Sequence, residues 1–176
     1  MNNEPPAPGP RGASIPSDLR ALMEKGVSAI VSSSGLALLP SVMRAVATAL
    51  CTDGVTVYLS RPQSMQLLQD ISSTGRIAVV FSEPISHRTV QVKGTDARIR
   101  SIRPGDLKKI ERYLASMEIE IQQVGFDPAF THAMLAHRVD DLVAVAFVPT
   151  QAFDQTPGAK AGASFSSIDE REARGA

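Results

Sequence analysis

Residues 89–102 alternate apolar and polar side chains as a strand does, but the alternation changes phase halfway along. Before Gly94 the apolar residues are Val90 and Val92, at even positions; after it they are Ala97 and Ile99, at odd ones. A strand keeps one face on a core across such a change only if an extra residue absorbs it, so a β-bulge is expected at Gly94. A bulge bends its strand, and bent antiparallel strands are what a small closed sheet requires.

The rest of the pattern agrees with a β-rich chain. Residues 27–33, 55–59 and 76–82 read as strands, and 142–148 is a continuous apolar run short enough for a strand buried on both faces. Residues 40–50 contain alanines that suit a helix. Their flanking turns, and the alternation of Val42, Arg44, Val46 and Thr48 with Met43, Ala45, Ala47 and Ala49, favour a strand. Thr52-Asp53-Gly54 is a hairpin signal. Three helices are expected. Ser17 caps the first, over 18–25, and Gly26 ends it; Pro62 opens the second at its first helical position, and Gly75 closes it. The third, over 106–124, has Asp106 as its cap and Leu107, Ile110, Leu114, Met117, Ile121 and Val124 on one stripe. Together these predict a mainly β, α+β fold: a six-stranded antiparallel barrel with flanking helices.

At 176 residues the chain fits one domain. Residues 1–16 hold five prolines and two glycines and read as a disordered arm; 157–176 read as a flexible tail, leaving 17–156 as the folded domain. Eighteen basic and eighteen acidic residues cancel, which counts against a dedicated nucleic-acid binder. No apolar run approaches the ~20 residues that cross a bilayer, and the N-terminus lacks the apolar core of a secretory signal. A single cysteine, Cys51, excludes an internal disulfide and a multi-thiolate metal site. A cytoplasmic protein with neither nucleic-acid nor membrane partner is expected.

The segment Tyr58-Leu59-Ser60-Arg61-Pro62-Gln63-Ser64 carries the most chemistry. A strand ends there and a helix begins, offering free backbone N–H groups, the positive end of a helix dipole, the Arg61 charge and the Ser60 and Ser64 hydroxyls. Such a tip suits a phosphate; an ordinary capped helix beside an exposed arginine is the plainer alternative. Arg88, Lys93, Arg98, Arg100 and Arg103 gather around the expected bulge, where charge also serves to protect a strand edge. Arg44 interrupts a small, apolar strand and calls for an anionic partner, either a ligand phosphate or an acidic side chain such as Asp53. His132 and His137 are five apart, not the i, i+4 spacing of two ligands on one helix face, so no metal site is expected. No residue presents itself as a nucleophile, general acid or general base, and any chemistry would come from a cofactor.

Read in order, Arg76-Ile77-Ala78-Val79-Val80-Phe81-Ser82-Glu83-Pro84 and Arg88-Thr89-Val90-Gln91-Val92-Lys93-Gly94 resemble the pyridoxamine 5'-phosphate oxidase-like family of FMN-binding split barrels. Asp53-Gly54-Val55-Thr56-Val57-Tyr58 resembles the family's early hairpin, and Phe153-Asp154-Gln155-Thr156-Pro157-Gly158 the ending of a flavin-binding subgroup. The resemblance implies a homodimer with FMN held between subunits and a small-molecule substrate or ligand. It implies phosphate contacts from Arg44, Ser60, Arg61, Ser64, Arg88 and Thr89. The flavin ring would lie against Val46 and the backbone of Tyr58 and Leu59, with Gln155 and Thr156 reaching the partner's flavin. The oxidases proper carry lysines near Thr48 and Met65 and a glutamine where Thr89 stands, all absent here, and the long helix lacks their Tyr, Arg and Ser pattern. The resemblance therefore implies a related flavoprotein, an oxidoreductase working by hydride transfer, with non-catalytic binding of a flavin, deazaflavin or tetrapyrrole as the alternative.

Overall fold

Two stretches that read as single strands are each divided between two sheets. A computed structural model describes residues 13, 15–51 and 54–165; Thr52, Asp53 and most of the N-terminal arm lie outside them. The order is α1 (Ser17–Lys25), β1 (Ser28–Ser34), β2 (Pro40–Arg44), β3 (Ala47–Leu50), β4 (Val55–Ser60), α2 (Met65–Thr74), β5 (Ile77–Ser82), β6 (Thr89–Gly94) and β7 (Arg98–Ser101). Then follow α3 (Pro104–Gln123), α4 (Pro128–Met134), a 3-10 turn (Val139–Asp141), β8 (Leu142–Phe147) and β9 (Gln151–Asp154). One sheet runs β2-β1-β5-β6-β9 and the other β3-β4-β8-β7, with every strand pair antiparallel. The fold is mixed α+β and split-barrel-like.

The strand expected over 40–50 changes sheets at its middle. The Ala45 N–H donates to the Ala29 carbonyl at 2.9 Å and the next N–H, of Val46, to the Tyr58 carbonyl at 2.8 Å. Buried backbone groups must be paired, and this hand-over pairs them on two different sheets in successive residues. The expected bulge at Gly94 is likewise a corner. β6 ends at Gly94 and β7 begins at Arg98, so Val90 and Val92 reach the barrel core from one sheet and Ala97 and Ile99 from the other. The phase change is real, but a change of sheet produces it. Gly94 is needed for close approach: a Cβ there would lie 2.6 Å from the Phe147 ring and 3.0 Å from the Val148 carbonyl.

Helix starts differ from the sequence expectation by one to three residues. Pro16 is the N-cap of α1, and Ser17 is already helical. Pro62 sits in the turn before α2, whose N-cap is Ser64. Arg103 caps α3, Pro104 takes the first helical position, and Asp106 is at N3. The sequence pattern also leaves out α4 and β9. Residues beyond β9 continue the fold: Gly162 and Phe165 donate backbone bonds to Asp154 and Ala152 at 2.6 and 3.1 Å, and Phe165 enters the barrel core. The packed part thus runs past residue 156.

A second core lies between the β3–β4–β8 face and α3, where Tyr58 meets Ile110, Tyr113, Met117 and Ile121. Asp106 organises it. Its buried carboxylate accepts two bonds from Arg100 at 2.6 and 3.0 Å, one from the Tyr58 hydroxyl at 2.8 Å and one from the Arg103 N–H at 2.9 Å. The Arg100 guanidinium holds this carboxyl well below the usual carboxylate range, aided by the Arg103 N–H and Tyr58 and opposed by burial. Burial, and then the Asp106 charge, push the Tyr58 hydroxyl above its ordinary value. At the far side of α3, the Tyr113 hydroxyl donates to the Val27 carbonyl at 2.6 Å, and fully buried Glu120 pairs with Lys25 at 2.6 Å.

A carboxyl with a lowered folded-state pKa adds stability above its unfolded pKa and loses it as pH falls through the folded value. Asp106→Asn is therefore expected to cost about 2–4 kcal/mol at pH 7 and to flatten the loss of stability below about pH 4, read by urea unfolding across a pH series. Gly94→Ala is expected to cost about 1–3 kcal/mol in the same assay, because the Phe147 ring can turn aside but the Val148 carbonyl is part of the corner.

Candidate functional site

The junction from β4 to α2 brings together a helix start, two serines and an arginine. β4 stops at Ser60, the chain turns through 61–63, and α2 starts after Ser64. The turn is fixed by the Arg61 N–H donating to the Asp141 carbonyl at 2.8 Å and the Ser64 N–H donating to the Arg61 carbonyl at 3.2 Å. Ser64 stands at the N-cap, yet its side chain makes no capping bond. Its Oγ is buried without a hydrogen-bond partner among the described residues, and Ser64 as a whole is 2 % exposed. A buried, unpaired hydroxyl costs about 1–3 kcal/mol. The first N–H groups of α2 have no side-chain cap either, and together they carry roughly half a positive charge. Exposed Arg61 and buried Ser60 make no side-chain bond or ion pair among the described residues.

A second group of expected residues meets on the outer face of the five-stranded sheet. The inner face of β1 carries Ala29, Val31 and Ser33, so Ser28, Ile30 and Ser32 face outward. Register sets Ser28 beside Ser82, and Ser82 beside Thr89. The Ser82 and Thr89 hydroxyls lie 2.9 Å apart, and Arg44 donates to the Ser28 Oγ at 2.8 Å. Thr156 Oγ1 accepts from the Thr89 N–H at 3.0 Å, and the Gln155 N–H donates to the Thr89 carbonyl at 2.9 Å. Arg44, Thr89, Gln155 and Thr156 thus share one polar row at the end of the sheet. Ser28 and Ser82 complete it. The sequence pattern passed over them because a serine on a strand's outward face is ordinary; only the register lines them up.

Other expected residues sit elsewhere. Arg88 forms an ion pair with Asp18 of α1, turned toward that helix. Val46, Tyr58 and Leu59 are buried, and the Tyr58 hydroxyl is committed to Asp106. Arg44 has no carboxylate partner among the described residues, and Asp53 lies outside them. His132 bonds Glu118 at 3.0 Å and His137 the Leu135 carbonyl at 2.8 Å. No described cluster of His, Cys, Asp or Glu could hold a metal ion, and no described helix is long and apolar enough to cross a membrane.

No protein-family model matches the chain, and no curated protein matches it in sequence. Among solved structures it is similar to HupZ of Group A Streptococcus, at 15% identity over 85% of this chain and 100% of that one, with a TM-score of 0.52. It is also similar to an F420 reductase, at 16% identity over 78% of this chain and 98% of the other, with a TM-score of 0.51. A putative pyridoxamine 5'-phosphate oxidase from Listeria innocua aligns at 10% identity over 79% and 96% of the two chains, with a TM-score of 0.48. At such identities the likeness speaks for the fold alone: the chain shares its mixed α+β, split-barrel-like fold with HupZ and the F420 reductase.

Proposed function

We propose that this chain binds FMN, or a close flavin-type relative, between two copies of itself. One observation carries the reading: the buried Ser64 Oγ, without a partner among the described residues, at the uncapped tip of α2. The residues fit a phosphate. The α2 N–H groups, Ser60, Ser64 and Arg61 would hold it, and Arg44 would approach across the corner where the chain passes from β2 into β3. Thr89, Gln155 and Thr156 would supply hydroxyl, amide and backbone groups to a ring lying along the sheet face, from this subunit or from the partner. Arg88 contributes least, being neutralised by Asp18.

The bound flavin would supply hydride acceptance and donation, and the chain's own part is to anchor the phosphate and orient the ring. We take the protein to be a cytoplasmic oxidoreductase of a small molecule. A second reading, cofactor binding without turnover, is favoured by one feature: the polar row is built of hydroxyls, amides and Arg44, and the carboxylate next to it, of Asp154, is already taken up by the Thr156 N–H at 2.8 Å. Reduction of the bound flavin by a nicotinamide donor, followed by reoxidation at an enzymatic rate, would eliminate that second reading.

Titration with FMN is expected to quench flavin fluorescence, and Ser64→Ala is expected to weaken binding by about tenfold. Without ligand the same variant is expected to be as stable as the parent or about 1 kcal/mol more stable, since it deletes an unpaired buried hydroxyl. An unquenched titration, or a Ser64→Ala protein that binds FMN as the parent does, would remove the proposal.

A further inference from the structure

The outer face of the five-stranded sheet carries two cations at the end away from Thr89. Lys93 lies on β6 opposite Ala78 of β5, and Arg76 immediately precedes β5. Alternate residues of a strand share a face, so Arg76 and Ala78 point the same way and Lys93 is the diagonal neighbour of Arg76. β5 and β6 are interior strands of the sheet. Charge at this place therefore does nothing to blunt a sheet edge, the usual reason for lysine and arginine on strands.

Neither cation meets a carboxylate among the described residues. The Lys93 Nζ stands 4.7 Å from the centroid of the Phe153 ring, which positions the ammonium without neutralising it. Like charges side by side on a sheet repel. A cavity of about 520 Å³ opens beside them, walled by Ser32, Ser34, Leu38, Ala78 and Gln151 together with the two cations, and no carboxylate lines it. Its volume falls in the range of small-molecule sites. Leu38, at the tip of the β1–β2 hairpin, has φ 59, a left-handed conformation that a bulky side chain seldom adopts, and its N–H is tied to the Gly35 carbonyl at 3.1 Å. Strain of this kind collects at ligand clamps.

We propose that this cavity is a second binding site, taking a small organic anion with an apolar body. The acid group lies between Arg76 and Lys93, and the body rests against Leu38 and Ala78. Thr89 and Lys93 are four residues apart on one strand, roughly 13 Å, so this site is separate from the polar row at the other end of the sheet. It does not depend on the flavin reading.

The test is calorimetric titration of the full chain with benzoate, octanoate and inorganic phosphate, and in parallel with FMN. Benzoate or octanoate is expected to bind, and phosphate more weakly because it has no apolar body. The double variant Arg76→Gln/Lys93→Gln is expected to weaken the organic acid by about tenfold or more. Ala78→Leu, which fills the cavity and keeps both charges, is expected to do the same, so a folding failure of one variant leaves the other as the test. FMN titration should be unchanged in both. Three results would overturn the assignment: no binding of either organic acid, binding that both variants leave intact, or variants that weaken FMN in the same proportion. Phosphate binding as tightly as benzoate would overturn the apolar half of it.

Discussion

The structure depends on a backbone that, besides the passage through α2, turns three corners from one sheet directly to the other while keeping its hydrogen bonds. The crossings lie between Arg44 and Ala47, between Gly94 and Arg98, and between Phe147 and Gln151. At each, the polar groups are taken up at once: Ala45 by Ala29 and Val46 by Tyr58, Ala97 by Gly75, and Thr150 by Lys93. The Val148 N–H is taken by the Asp96 carboxylate at 3.3 Å. A buried amide left unpaired at any corner would cost about as much as a lost hydrogen bond. Small residues make the passage physically possible. Ala45 is fully buried at the first corner, and Gly94 at the second leaves no room for a Cβ beside Phe147.

These corners also shape the surfaces on which the proposed sites lie. By moving half of each long strand to the second sheet, they close the barrel core and leave the outer face of the five-stranded sheet bearing hydroxyls at one end and cations at the other. α3 closes the opposite side through Asp106, whose carboxylate gathers Arg100, Tyr58 and the start of the helix. Tyr58 is held to α3 by this bond, and just beyond it α2 begins without a side-chain cap.

Much of the architecture was legible in the residue pattern. The apolar run over 142–148, the alternation over 40–50 and the phase change at Gly94 all mark segments that face cores. The phase change was legible but its cause was not, because period-two alternation shifts in the same way for a bulge and for a strand that changes sheets. Asp106 reads as a helix cap; nothing in the sequence announces the Arg100 and Tyr58 partners that make it a buried ionic centre. The short helix over 128–134 has too few apolar steps to show a period, and the segment that ends at Phe165 hides its one anchor among Gly, Ala and Ser.

The same division holds for the site. Local sequence settles which residues can bear the chemistry: a strand-to-helix junction with Arg61 between two serines, and a lone Arg44 among alanines. Their types and neighbours fix their charge and hydrogen-bonding capacity wherever the chain goes. Which of them are free to act is decided by contacts between residues far apart in the chain. Arg88 is claimed by Asp18, seventy residues away, whereas Ser64 is buried without a partner among the described residues. Long-range pairing decides this because a polar group's availability depends on what packing sets beside it, and strand register, which no local pattern encodes, sets those neighbours.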